Sequence, residues 1–135
     1  MFLNELKEGE KELFLELCVH AANANGLFVG EEKDLLKAYC AEMQMQVPSV
    51  IEETGEDAII KKLKKASLKS KKIIVLEIIG LLQADKKVDK KERDFLKRLT
   101  AGIGISETNV KNIESLLEEY NDVTNKIFNM ILDES

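Results

Sequence analysis

The chain has 135 residues, of which 44% are hydrophobic and 33% are charged. This length and balance predict one domain over residues 1–135 that can bury a core without disulfide bonds or a metal, and they exclude an intrinsically disordered chain. Aromatic residues make up only 5% and tryptophan is absent, which argues against base stacking and so against nucleic acid as a partner.

The net charge of −5 is distributed unevenly along the chain. Residues 1–57 hold 13 acids and 4 bases, residues 58–100 hold 5 acids and 14 bases, and residues 101–135 hold 7 acids and 2 bases. We therefore expect the acidic ends to attract the basic middle, either within one chain or between chains of an oligomer.

Segments that would direct the chain out of the cytoplasm are not evident. The first ten residues contain no apolar segment of the kind found in signal peptides. The longest apolar run, residues 73–82, is too short to span a bilayer, and it includes Glu77, for which we expect a lysine partner. Cys18 and Cys40 lack the spacing of a metal or redox pair, so we predict reduced, buried thiols and a cytoplasmic protein.

Apolar residues recur at helical spacing through most of the chain. A first predicted helix ends before a polar turn at Asn25 and Gly26, and a second covers about residues 35–43. Thr54 begins a Thr-Gly-Glu-Asp run that resembles a capping signal. It predicts the start of a lysine-rich helix over residues 56–66.

The second half of the chain continues the helical pattern. We predict an apolar central helix over residues 67–84 and an amphipathic helix over residues 90–103. Gly102 and Gly104 mark the end of that helix, and Ser106 is a good N-cap for a last segment that keeps its apolar period to Ile131. No segment shows the alternation of a β-strand, so the predicted fold class is all-α.

A gap-free shift of 60 residues reveals an internal repeat. It aligns two helix-loop-helix units, about residues 12–42 and 72–102, each with an apolar first helix and an amphipathic second helix. Neither unit can bury its apolar face alone, so we expect these helical hairpins to pack around one core, about a pseudo-twofold axis. The aligned pairs include Phe14 with Ile74, Cys18 with Ile78, Ala24 with Ala84, Glu32 with Glu92, and Leu36 with Leu96.

The turn of the second unit admits two interpretations. In the structural interpretation, Asp89 is an N-cap, Glu92 completes a capping box, and the Val88 side chain packs into the core. In the other, the carboxylates of Asp85, Asp89 and Glu92 hold Ca²⁺ or Mg²⁺, because these cations prefer oxygen ligands. Four lysines in the turn oppose a cation, and the spacing is not that of an EF-hand.

The first turn is a weaker candidate for a metal site. Asn25 stands where the second turn has its first aspartate, and Glu32 remains as a carboxylate. Both turns share the pattern Ala-[Asn/Asp]-x-x-[Phe/Val]-x-x-x-Glu, at residues 24–32 and 84–92.

This shared pattern resembles the TerB-like tellurite-resistance family, and it is also similar to the N-terminal domain of a membrane-anchored J-domain co-chaperone. The family carries Ala-Asp-Gly-x-aliphatic-x-x-x-Glu at a helix-loop-helix turn. Here Asn25 replaces the aspartate of the first turn, and Lys86 replaces the glycine of the second. The resemblance covers about residues 10–120 and implies an all-α fold of about seven helices in a bacterial stress context. For some members it implies divalent-cation binding by the loop acids.

Seven lysines form a basic stretch that we call the lysine surface. We interpret it as a solvated helix face, with docking to an acidic protein or an anionic membrane as the alternatives. The absence of arginine and aromatic residues there disfavours nucleic acid. Its members are Lys61, Lys62, Lys64, Lys65, Lys69, Lys71 and Lys72.

These observations predict a non-enzymatic binding or scaffold module of the TerB-like type, with a protein partner and with self-association left open. The alternative is an adaptor that docks an acidic protein or an anionic membrane through the lysine surface. No phosphate-binding glycine loop, zinc motif or catalytic triad is visible, and His20, the single histidine, has no evident nucleophile partner. The predicted function requires no cofactor, and Ca²⁺ or Mg²⁺ is optional.

Overall fold

The structure, a computed structural model, describes residues 1–24, 30–48, 54–83 and 88–133. A single turn of 3-10 helix, Leu3–Glu5, precedes six α-helices, and these residues include no strand. The all-α prediction is therefore confirmed over the described part of the chain. The helices are α1 (Glu8–Ala24), α2 (Gly30–Glu42), α3 (Glu56–Leu63), α4 (Leu68–Gln83), α5 (Lys90–Ile103) and α6 (Glu107–Leu132).

Helix boundaries agree best with the sequence where a local signal marks them. Helix α5 has the predicted bounds, and Gly104 follows it in the left-handed conformation with φ of 85°, which favours glycine. Ser106 caps α6, because its side chain accepts a 3.2 Å hydrogen bond from the Asn109 amide. The number of helices implied by the resemblance is not confirmed, since the described residues form six α-helices.

The start of α3 is correct but its predicted cap is wrong. The N-cap residue is Gly55, and no side chain caps the helix there. The Thr54 hydroxyl instead donates to the Glu16 carboxylate on α1, so it ties two helices together. Helix α3 also ends at Leu63, three residues before the predicted end.

The core forms around α4, which packs against α1, α5 and α6. Ile74, Val75 and Ile78 of this helix are completely buried. This burial accounts for its nearly continuous apolar sequence, because a helix with neighbours on several sides has little surface left for polar residues. Phe14 and Tyr39 pack edge to face across α1 and α2, with ring centroids 5.2 Å apart.

The helix positions follow the 60-residue offset of the repeat. Helices α1 and α4 begin at Glu8 and Leu68, and helices α2 and α5 begin at Gly30 and Lys90. The superposition of the two hairpins as backbone units stays a prediction.

Ion pairs join the basic middle of the chain to its acidic N-terminal part. Lys69 contacts Glu5 at 2.6 Å, and Arg98 contacts Glu56 with nitrogen–oxygen distances of 2.6 and 3.3 Å. Glu77 is paired with the amino group of Met1 and not with a lysine, which corrects the expectation from the sequence. None of the described helices has the length and apolar character needed to cross a membrane.

Candidate functional site

The second turn contains a complete capping box at the start of α5. The Glu92 amide donates a 2.8 Å hydrogen bond to Oδ1 of Asp89, and the Asp89 amide donates a 3.2 Å hydrogen bond to Oε1 of Glu92. Glu92 is buried and Asp89 is exposed. Val88 is half-buried and packs against the core. These three predicted structural roles are confirmed.

The candidate metal ligands are only partly described. Asp85 and Asn25 lie outside the described residues, and Glu32 is known only as a position in α2. The structure brings Asp89 and Glu92 together, but it directs both carboxylates at backbone amides. Among the described residues, no group of three histidine, cysteine, aspartate or glutamate side chains could hold a metal ion.

The lysine surface covers the end of α3, the turn after it and the start of α4. Six of its seven members are exposed, and Lys71 is half-buried. In the described part of the chain only Lys69 has an acidic partner, which is Glu5. Lys61 and Lys62 lie in the last turn of α3, where positive charge suits the negative end of the helix.

Helix α6, for which the sequence predicted an apolar helical period, has a large exposed apolar surface. Its residues 125–133 are all exposed, and Leu117 is its only buried residue among those described. The exposed fractions of Met130 and Ile131 are 80% and 73%. The large apolar side chains exposed on this helix are Leu116, Tyr120, Val123, Ile127, Phe128, Met130, Ile131 and Leu132.

Six apolar residues of α6 recur at alternating spacings of three and four, which is the heptad pattern of a coiled coil. We call these residues the α6 seam. This heptad spacing was already present in the sequence. The seam consists of Ile113, Leu116, Tyr120, Val123, Ile127 and Met130.

An apolar groove adjoins the first residue of the seam. It has a volume of about 520 Å³, and we call it the apolar groove. Two of its walls, Phe2 and Leu68, are about half exposed, at 49% and 56%. The lining residues are Phe2, Glu5, Leu68, Lys69, Lys72, Ile73, Leu76 and Ile113. The groove and the seam therefore meet at Ile113.

A polar cleft of about 690 Å³ lies between α6 and the α4–α5 region. Glu114, Glu118 and Asp122 of α6 line it together with Arg93 of α5. Acidic residues thus follow a different side of α6 from the seam.

The single histidine and the two cysteines have defined surroundings. Nε2 of His20 is 2.7 Å from the Thr54 carbonyl oxygen. Cys18 and Cys40 are free thiols and both are buried, as predicted. Burial raises the pKa of both thiols, and for Cys18 the charge of Glu77 raises the pKa further, which disfavours the nucleophilic thiolate.

The described residues therefore present a structural turn, a basic surface and an apolar surface. Of these, the apolar surface exposes side chains that are unfavourable in water. Comparison of the chain with family models, with curated proteins and with solved structures found no match.

Proposed function

We propose that this chain is a non-enzymatic binding or scaffold module whose protein-binding surface is the α6 seam with the apolar groove. The observation that carries the proposal is the exposure of eight large apolar side chains on α6. Contiguous apolar surface of this kind is typical of protein interaction sites, because its burial by a partner is the main favourable term in association.

Fold stability does not account for these side chains. Ile127, Met130 and Ile131 are 57–80% exposed, so they contribute little to the core of their own chain. Polar residues at these positions would keep α6 helical and remove a risk of aggregation. The presence of apolar residues there is therefore better explained by a partner that covers them.

The chemistry of the described residues also supports a binding role over an enzymatic one. The His20 ring is engaged by a backbone carbonyl, and burial raises the pKa of both thiols. A catalytic base or nucleophile works best with a pKa near the operating pH and with access to substrate. The proposal includes the TerB-like resemblance and the bacterial stress context that it implies. It also includes a cytoplasmic location, and a cation at the second turn is optional.

The lysine surface supports a second function, docking to an acidic protein or an anionic membrane. Lys69 lies in the first turn of α4, and Lys71 and Lys72 follow it; no acid occupies that turn. Positive charge at the positive end of a helix is unfavourable by about 0.3–1 kcal/mol per residue. Lys69 is paired with Glu5, but no ion pair holds Lys71 or Lys72 in the described part of the chain, so these lysines are suited to a negatively charged partner.

Site-specific photo-crosslinking in cells tests the first function. A photoreactive phenylalanine analogue at Ile127 should give adducts with protein. The same analogue at Lys97, an exposed position on α5, is the matched control and should give few. The absence of any protein adduct at Ile127 would contradict the proposed function.

Vesicle co-sedimentation tests the second function. Anionic phosphatidylserine vesicles should bind the chain at low salt and release it at high salt. The double variant Lys64→Glu with Lys65→Glu should lose this binding, and Lys97→Glu is the control. Binding that is equal for both variants, or absent, would count against the membrane form of this function.

A further inference from the structure

We propose that the partner of the α6 seam is a second copy of this chain, bound through an antiparallel, twofold-symmetric coiled coil. The inference rests on the proposed function, and it specifies the partner. Three observations carry it: the heptad spacing of the seam, the charges that flank it, and the position of the apolar groove.

The heptad spacing makes the seam complementary to itself. With Ile113, Tyr120 and Ile127 at the first core position, Leu116, Val123 and Met130 take the second. In an antiparallel pair the two kinds of position face each other. Ile113 then meets Met130 of the second copy, Leu116 meets Ile127, and Tyr120 meets Val123. The five exposed seam residues are covered in this register, and so is the remaining exposed part of Ile113, which is half-buried against its own core.

The flanking charges select the antiparallel direction. In antiparallel coiled coils the residues just before the first core positions face each other across the interface. Here these residues are Glu119 and Lys126, so Glu119 of each copy meets Lys126 of the other. Symmetry makes this ion pair twice. Lys126 is the single base between residues 112 and 133, so the direction of the pair decides whether Glu119 meets a base there.

A parallel pair would lack this match. Its flanking contacts would join Glu119 to Thr124 and Lys126 to Ile131, neither of which is an ion pair. The acidic residues of both helices would also lie at the same height along the axis, where they repel each other.

The apolar groove fits the same register. The end of α6 in the second copy, with Met130 and Ile131, comes to lie beside Ile113. Ile113 lines the groove together with Leu76, Phe2 and Leu68. One symmetric contact therefore covers both the exposed end of α6 and the open groove. A partner that bound the seam alone would leave the groove open.

Sedimentation equilibrium of the full chain tests self-association over roughly 1 µM to 1 mM, the range of weak to moderate affinities. The wild type should approach twice the 15.2 kDa of one chain. Val123→Glu should raise the dimer Kd by at least about a hundredfold, because it places a charge in the seam of each copy. Asn129→Glu, also exposed on α6 but outside the seam, should leave the Kd unchanged. Circular dichroism should show equal helix content in all three.

Charge exchange tests the antiparallel register. Glu119→Lys and Lys126→Glu should each raise the Kd about tenfold, since each replaces two attractions by two repulsions. The double variant should return the Kd to the wild-type value. A chain that stays monomeric, a dimer that tolerates Val123→Glu, or a double variant that is not rescued would overturn the proposal.

The crosslinking experiment at Ile127 separates this inference from the proposed function. Adducts of twice the chain mass support both. Adducts with other proteins but none with a second copy would overturn the inference and leave the proposed function standing.

Discussion

The hydroxyl of Ser70 donates a 2.8 Å hydrogen bond to the carboxylate of Glu10, 60 positions away in the chain. Both residues are buried, and each is the third residue of its helix, α4 and α1. The 60-residue repeat aligns these two positions with each other. Residues related by a twofold axis can contact each other only close to that axis. The predicted pseudo-twofold packing of the hairpins would therefore have its axis near Glu10 and Ser70.

The contact also helps to stabilise the buried carboxylate of Glu10. Oε1 of Glu10 accepts a second hydrogen bond, of 2.9 Å, from the amide of Lys7 at the start of α1. The Ser70 amide, at the start of α4, donates a 3.1 Å hydrogen bond to the Ser67 hydroxyl. The Glu10 carboxylate therefore accepts one hydrogen bond from the amide at the start of α1 and one from a hydroxyl in the first turn of α4.

Loss of the Glu10 carboxylate should destabilise the fold. Glu10→Ala should lower the free energy of unfolding by about 2 kcal/mol, because it leaves Ser70 and the Lys7 amide without their acceptor. Glu8→Ala is the matched control: Glu8 lies in the same turn, is 91% exposed in its side chain and pairs only with Lys11, so its loss should cost less than about 0.5 kcal/mol. Urea denaturation measures both. Equal effects of the two substitutions would contradict the role of the buried contact.

Asp89 should stabilise the second turn whether or not a cation is present. Asp89→Ala should cost about 0.5–2 kcal/mol, since it removes the acceptor of the Glu92 amide. Asp94→Ala, at an exposed position of the same helix, should cost less. Thermal unfolding in chelator and in millimolar Ca²⁺ gives the measurement. A large calcium-induced rise in the midpoint of the wild type, absent in Asp85→Asn, would show that a metal organises the turn.

Two of the helical glycines, Gly102 and Gly80, should respond to alanine in opposite directions. A methyl group at Gly102 on α5 would overlap Cγ2 of Ile60 on α3, whereas one at Gly80 on α4 would meet nothing within 4 Å. Gly102→Ala should therefore cost about 1–3 kcal/mol. Gly80→Ala should add about 0.5–1 kcal/mol, because alanine loses less backbone entropy in a helix.

A double-mutant cycle identifies the cause of the Gly102 effect. Ile60→Ala removes the methyl group that Gly102→Ala would meet, so the double variant should be more stable than the sum of the two single effects predicts. Additive effects would mean that the contact with Ile60 is not the cause of the destabilisation by Gly102→Ala.

The two thiols should react slowly in the folded protein. Cys18 and Cys40 are 2% and 1% exposed, and burial raises the pKa of both. A thiol reagent at pH 7.5 should label them at the rate of opening of the fold, and rapidly in denaturant. When opening of the fold limits the rate, raising the pH by one unit should accelerate labelling of the native protein only slightly, because the limiting step does not involve the thiolate. Rapid stoichiometric labelling in native buffer would contradict this burial.

The sequence determined the parts of this fold that depend on neighbouring residues. Helix α5 begins and ends as predicted because Asp89, Glu92 and Gly104 satisfy its terminal backbone groups within a few positions. Ser106 marks the start of α6 for the same reason. The apolar period of α4 likewise predicted a buried helix, since a sequence with few polar residues has few stable places outside a core.

Only the tertiary structure decided which partners the side chains found across the fold. Thr54 is a residue type that often caps helices, yet its hydroxyl donates a hydrogen bond to Glu16 on α1. Glu77 pairs with the Met1 amino group. The apolar period of α6 indicates which side of the helix is hydrophobic, but period alone does not say whether that side is covered. Leu117 is buried, whereas Leu116 beside it and Ile127 further along are exposed, because the neighbouring helices cover only one side of the first part of α6. The extent of that packing depends on residues far away in the chain.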